Sequence, residues 1–225
     1  QESETLCVPH TDFKISKHQL SLKGRHNQFN IQCAVLAARQ LNVSNEIIAK
    51  AIRSFENEAH RLESVITIND VEYINDSKAT NVDAVFFALE AMEKQVVWIV
   101  GGIDKGNDYR QLFPLVKEKV RAIVCLGKDN TSIQTAFKGV HEIIVESRSI
   151  NEAIKIASLY AEAGDVVLLS PACSSFDLFK NYVDRGNQFK ELLFHQHKIM
   201  TEGIQVQMDI KINIDPAENK NDDLN

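Results

Sequence analysis

No apolar stretch in this 225-residue sequence reaches the roughly 20 residues that a membrane-spanning helix needs. Runs of lysine and arginine are absent too, and the formal net charge is −6, whereas a duplex nucleic-acid binder needs a basic stripe to displace condensed counterions. Neither a membrane nor nucleic acid is therefore an expected partner. Cysteine is scarce: Cys7, Cys33, Cys125 and Cys173 stand far apart without a CxxC pair. Free thiols in a reducing cytoplasm are expected, buried at Cys33 and Cys125, which lie inside apolar-patterned segments. A signal peptide is lacking as well, because QESETLCVPH has no basic region followed by an apolar core. There is no initiating Met, and the abrupt polar opening is what a piece of a longer protein or a processed terminus would show.

What is present is ordinary for a soluble globular protein, 44% hydrophobic and 25% charged, and long enough for one domain plus part of a second. Residues 29–41 place Ile31, Ala34, Val35, Ala38 and Leu41 on one helical face, and a second helix capped by Ser44 carries Ile47, Ile48, Ala51, Ile52 and Phe55. The polar stretch 56–60 then breaks the pattern and marks a domain boundary.

From Val65 onward strands alternate with helices. VITI and VEYI flank the turn-prone pair Asn69-Asp70, and VVWIV (96–100), AIVCL (122–126), EIIV (142–145) and VVLLS (166–170) are separated by helix-length segments. Short apolar strands joined by such crossovers predict an α/β fold with a doubly wound, mostly parallel, Rossmann-like sheet. Ser149 and Glu152 form a capping box, with Gly164 as a left-handed stop. Beyond His197, the alternation Ile204, Val206, Met208, Ile210, Ile212, Ile214 predicts one more strand, followed by an acidic disordered tail.

In an open α/β sheet the ligand crevice lies beyond the carboxyl ends of the strands. Three segments sit there: NDSKATN (75–81), GGIDKG (101–106) and PACSSFD (171–177). The last runs toward Phe176, Phe179, Val183, Phe189 and Leu193 at helical spacing. Its amides and the Ser175 hydroxyl are either an anion site at a helix N-terminus or, with Ser174 and Asp177, plain capping groups. GGIDKG is neither a GxGxxG fingerprint nor a GxxxxGK[ST] loop. Its Lys105 is either a point charge for a carboxylate or a solvated side chain. Asp76 and Lys78 flank a turn that Thr80 or Asn81 can close as a helix cap, and His60-Arg61 reads either as linker or as a guanidinium for a base or phosphate. His195 and His197, two apart and off one helical face, are not expected to bind a metal.

The order and spacing of these motifs over residues 20–194 resemble the Mur ligase family. LKGRHNQFN (22–30) is similar to its GxHNxxN segment, and HRLE (60–63) to the HRxE entry of its C-terminal domain. NDSKATN, LSPACSSFD (169–177) and Arg185-Gly186 resemble the D-glutamate-adding branch rather than relatives that add other amino acids. The resemblance implies that residues 1–58 end a central ATP-binding domain and that 59–197 form the C-terminal glutamate-binding domain; it says nothing about 198–225, which the pattern alone reads as an extra strand and acidic tail. It also implies an ATP-dependent ligase of peptidoglycan precursor synthesis that phosphorylates UDP-N-acetylmuramoyl-L-alanine and joins it to D-glutamate through an acyl phosphate. Carried over by motif, Thr80, Lys105, Ser175, Phe176 and Tyr182 surround D-glutamate. Asn30, Arg61 and Asp76 face the adenosine of ATP, and Lys78 lies catalytically near the reacting phosphate. The family's phosphate loop and magnesium ligands are not in this sequence, so the chain alone is expected not to catalyse. The other readings are a Mur ligase of different specificity and a non-catalytic amino-acid-binding module.

Overall fold

A computed structural model describes residues 4–20, 22 and 24–213, with side chains up to residue 203. It begins with a short antiparallel hairpin, β1 (Thr5–Cys7) and β2 (Lys14–Ser16), that the sequence pattern had left unassigned. Helices α1 (Arg25–Gln40) and α2 (Asn45–Ser54) follow, and Ser44 Oγ accepts the Ile47 amide to cap α2. Leu6, Phe13, Ile15, Ile31, Val35 and Ile48 form a small core of their own. The expected helical faces are only half used: Leu41 and Ile47 are exposed, and so is Cys33, which was expected to be buried. Its place on α1 faces away from that core, whereas Cys125 is enclosed and its thiol pushed up to about 12 by burial.

The main body is a six-stranded sheet in the order β3-β4-β8-β5-β6-β7. Its strands are β3 (Glu63–Ile68), β4 (Val71–Asn75), β5 (Val96–Val100), β6 (Val120–Leu126), β7 (Ile144–Ser147) and β8 (Val166–Leu169). Only the β3–β4 hairpin is antiparallel. Asn69 and Asp70 both take positive φ at its turn, which is where Asn and Asp are tolerated. Alternation within each strand then divides the core. Ile74, Trp98, Val100, Ile123, Cys125 and Leu168 face α3 (Val82–Glu90), α4 (Phe113–Lys119) and α5 (Thr131–Phe137). Tyr73, Val97, Ile99, Val124, Val167 and Leu169 face α6 (Ile150–Tyr160) and α7 (Tyr182–Asn213). Each such side chain, fully enclosed, contributes about 1.5–3 kcal/mol, and layers of this kind on both faces make the sheet rigid where its strands end.

Two local expectations are corrected. α7 begins at Tyr182, not at Ser175. The chain first makes a turn in which Ser175 O accepts the Leu178 and Phe179 amides at 3.3 and 2.9 Å. Asn181 Oδ1 then accepts Asp184 N while Asp184 Oδ2 accepts Lys180 N, a reciprocal cap that fixes the later start. At the other end, α7 continues to Asn213 where alternation predicted a strand. Positions 204, 208 and 212 of that alternation also fall on one helical stripe, and extending an existing helix is far easier than nucleating a new element. Residues 214–225, the expected acidic tail, lie outside the described residues.

Candidate active site

The strand order puts β8 between β4 and β5, so the three loops singled out in the sequence leave adjacent carboxyl ends. They are laced together by backbone bonds: Asp76 N to Leu169 O (2.8 Å), Ala172 N to Ala79 O (2.9 Å), Gly101 N to Pro171 O (2.9 Å) and Ile103 N to Ser174 O (2.8 Å). Close approach demands glycine. Gly101 and Gly102 hold φ of 138° and 129°, and a Cβ on either would collide with the carbonyl of Leu126 or Ser174.

Beneath them lies Arg185, 1% exposed. Its Nε donates to Ser77 Oγ (2.9 Å), its Nη2 to Ser77 O (2.8 Å), and its Nη1 to Gly101 O (3.3 Å), with both terminal nitrogens 3.4 Å from Cys173 O. One planar guanidinium therefore ties all three loops, a task for which a lysine lacks donors. Burial lowers its pKa to about 10, which leaves it charged at neutral pH. A second lock holds the glycine-rich loop: Asp104 Oδ1 accepts Gly106 N and Asn107 N, both at 2.8 Å, and Asp104 Oδ2 accepts the Tyr109 hydroxyl at 2.9 Å. Asn107 Nδ2 in turn donates to Ala172 O at 3.2 Å.

On this frame, Lys105 projects from the glycine-rich loop into solvent, Ser175 is buried at the start of its turn, and Phe176 is 67% exposed beside it. Thr80 is exposed directly after Ala79, and Asn81, not Thr80, caps α3 through Ala84 N at 2.8 Å. Tyr182 stands at the start of α7, its carbonyl accepting Ser77 Oγ at 2.7 Å. Because α7 starts there, no helix dipole acts at Ser175. What gathers these positions is the loop lacing rather than a helix terminus.

The other expected group also has a place. Asn30, Arg61 and Asp76 line one cleft of about 330 Å³ between α1, the β3 entry and α3. Asp76 is 6% exposed; its Oδ2 accepts Ser170 Oγ at 2.8 Å and its Oδ1 the Leu62 amide at 3.2 Å. Burial outweighs those bonds and raises its pKa to about 7. Lys78 is not part of that lining; its Nζ lies 5.6 Å from the Tyr182 ring centre and 2.6 Å from Glu58 Oε2. Arg61 Nε is 3.1 Å from the same oxygen.

Sequence reasoning quoted Arg185 and Gly186 only as a resemblance and passed over Asp104, Asn107, Tyr109 and Glu58. A buried arginine is invisible to periodicity, although an arginine-glycine pair inside an apolar helix is a usable signal: Gly186 lets α7 press against His60 and Asn75, where a Cβ would collide with His60 Nδ1.

Comparisons with known proteins agree with this architecture. Residues 60–173 match the family model for the Mur ligase glutamate ligase domain. UDP-N-acetylmuramoylalanine–D-glutamate ligase of Christiangramia forsetii is 50% identical over 190 residues, 84% of this chain and 43% of that protein. The chain thus spans about two fifths of the length of the curated relatives it matches. Among solved structures, UDP-N-acetylmuramate–alanine ligase of Thermotoga maritima superposes with a TM-score of 0.59 at 15% identity, over 82% of this chain and 40% of that one. Folylpolyglutamate synthase of Mycobacterium tuberculosis, complexed with ADP, gives 0.61 at 12% identity, over 80% and 42%. With half of its length matched by the family model and its three strand-end loops gathered on one doubly wound sheet, this chain belongs to the Mur ligase family through its glutamate ligase domain.

Proposed function

We propose that the chain is the amino-acid-holding portion of a cytoplasmic, ATP-dependent ligase that joins D-glutamate to UDP-N-acetylmuramoyl-L-alanine in peptidoglycan precursor synthesis. The observation that carries the reading is the lacing of the three loops by Arg185 and four backbone bonds, which holds the Lys105 ammonium loop against the Ser175 turn. A cation and a hydroxyl on rigid loops suit a dicarboxylic amino acid, and in this reading Thr80, Phe176 and Tyr182 complete its surroundings. The names of the relatives, at 40–52% identity, point to the same acceptor.

In this reading, ATP supplies a phosphoryl group that turns the substrate carboxylate into an acyl phosphate. The amine of D-glutamate displaces phosphate from it to form the amide and loses a proton. The contribution of this chain is position and charge: Lys105 and Ser175 hold the carboxylates of the incoming amino acid, and Lys78 balances charge at the phosphate. The cleft of Asn30, Arg61 and Asp76 takes the adenosine. Asp76, already fixed by Ser170 and Leu62, offers an acceptor to ribose hydroxyls. Magnesium is a different case. Among the described residues no three His, Cys, Asp or Glu side chains converge, so these residues do not fit a metal site and no step is routed through one. Residues 1–58 are read as the end of the ATP-binding domain, and exposed Phe29, Leu41, Ile47 and Phe55 suit a surface that meets more chain in a longer protein. Residues 59–197 are read as the glutamate-holding domain, with the hinge at 56–60.

The test is a titration of the ¹⁵N-labelled chain with D- and L-glutamate. Shifts confined to Gly102, Lys105, Ser175 and Phe176, given by the D enantiomer and lost in Lys105→Ala, are expected. Equal response to both enantiomers, or shifts elsewhere, would reject the site.

A further inference from the structure

We infer that Glu58 is a built-in placeholder for a phosphate, a carboxylate that occupies the Lys78–Arg61 cation pair and must withdraw before an oligophosphate can. The inference rests on the reading that these two cations face the nucleotide, and adds to it an internal competitor.

The geometry is specific. One oxygen, Glu58 Oε2, lies 2.6 Å from Lys78 Nζ and 3.1 Å from Arg61 Nε. A single anionic oxygen shared by an ammonium and a guanidinium is the arrangement a phosphate oxygen adopts. The local backbone enforces it. Asn57 Oδ1 accepts Glu58 N (3.0 Å), Asn57 Nδ2 donates to Arg61 O (2.6 Å), and Arg61 N donates to Glu58 O (3.2 Å), so residues 57–61 close into a turn. Lys78 N donates to His60 O at 3.0 Å, which pins the lysine beside that turn. The three charges meet because the backbone brings them together, not because long side chains happened to reach.

The carboxylate is also free to leave. Its side chain is 61% exposed and accepts no further hydrogen bond among the described residues, whereas Lys78 is only 24% exposed. Hydrogen bonds from Lys78 and then Arg61 hold its pKa below the ordinary range, so it is anionic wherever the protein is folded near neutral pH. It lies in the segment read as the hinge, so a movement of 56–60 would carry Glu58 and release Lys78 in one event. The protein would then keep its phosphate-facing lysine neutralised and shielded until the nucleotide arrives, at a cost in affinity set by a partly exposed ion pair.

The reactivity of the Lys78 amine toward acetic anhydride, mapped by mass spectrometry, tests this on the full chain. Wild type and Glu58→Gln are compared, with Glu56→Gln as a control that removes the same charge from the same linker. Lys78 is expected to be protected in wild type and in the control and unmasked in Glu58→Gln. Inorganic triphosphate and ATP should restore protection, half-maximally at roughly two- to fivefold lower concentration in Glu58→Gln than in wild type. Equal Lys78 reactivity in all three proteins, or equal protection by triphosphate in wild type and Glu58→Gln, would overturn the placeholder. Triphosphate acting as expected while ATP acts no better keeps the placeholder and removes adenosine from the cleft. Failure of both anions to protect either protein overturns the placeholder and the nucleotide reading together.

Discussion

Arg185 concentrates more of the site in one side chain than any residue expected to touch substrate, since its donors fix Ser77, Gly101 and Cys173 at once. Arg185→Met leaves those buried carbonyls unpaired and is expected to cost roughly 3 kcal/mol in urea unfolding. A change under 0.5 kcal/mol would show that the loops hold without it. Asp76 makes a pH prediction with a definite sign. Its folded pKa of about 7 lies above the ordinary 3.8, so through that window the folded chain keeps a proton that the unfolded chain has lost. Stability from this group is therefore complete at low pH and falls as pH rises, by up to ~1.4 kcal/mol per unit. Urea midpoints measured from pH 4 to 8 should fall less steeply in Asp76→Asn than in wild type, and parallel curves would contradict the burial argument. Residues of this kind were only half legible in the sequence. Asp76 and Lys105 follow strands and so announce themselves, whereas Arg185 and Tyr109 act from within a helix or its approach, where nothing in spacing separates a buried tether from a surface side chain.

At the scale of elements, α7 is seated by a missing side chain. Gly186 faces His60 and Asn75, and His60 itself is tied to Asn75 at 2.9 Å while Glu63 pairs with Lys190 at 2.9 Å. Gly186→Ala adds a methyl where none fits and is expected to cost about 1–3 kcal/mol and to shift the His60 ring resonances. Unchanged resonances would mean that α7 is seated elsewhere. The C-terminus of α3 depends on Lys119, whose ammonium donates to the carbonyls of Leu89, Glu90 and Met92 at 3.2, 2.9 and 2.8 Å. Lys119→Met should lower stability by ~1 kcal/mol and increase amide exchange in residues 88–92. Strands and capped helices were read well from sequence because short apolar runs, Ser44, Ser149 and Asn69-Asp70 are local signals. The β1–β2 hairpin was too short to show a period, and the turn at 175–179 replaces helix bonds with a pattern that the same apolar spacing cannot reveal. The alternation at 204–214 serves a helix or a strand equally, and the helix that precedes it decides.

The whole molecule follows from one topological fact: β8 inserts between β4 and β5, so segments nearly a hundred residues apart in sequence become neighbours at one end of the sheet. That insertion was not legible strand by strand, but its consequence was, because the three motif-bearing segments of the sequence follow β4, β5 and β8. The cleft proposed for adenosine is lined from α1, from the residues leading into β3 and from α3, and so depends on how 56–60 sets α1 against the sheet. The most direct measurement is phosphate release by the product of the complete reading frame, supplied with ATP, magnesium and UDP-N-acetylmuramoyl-L-alanine, with D-glutamate compared against L-glutamate, L-lysine and diaminopimelate. Release that requires D-glutamate and falls at least a hundredfold in Lys105→Ala is the result this account predicts. Silence with D-glutamate and release with another acceptor would contradict it.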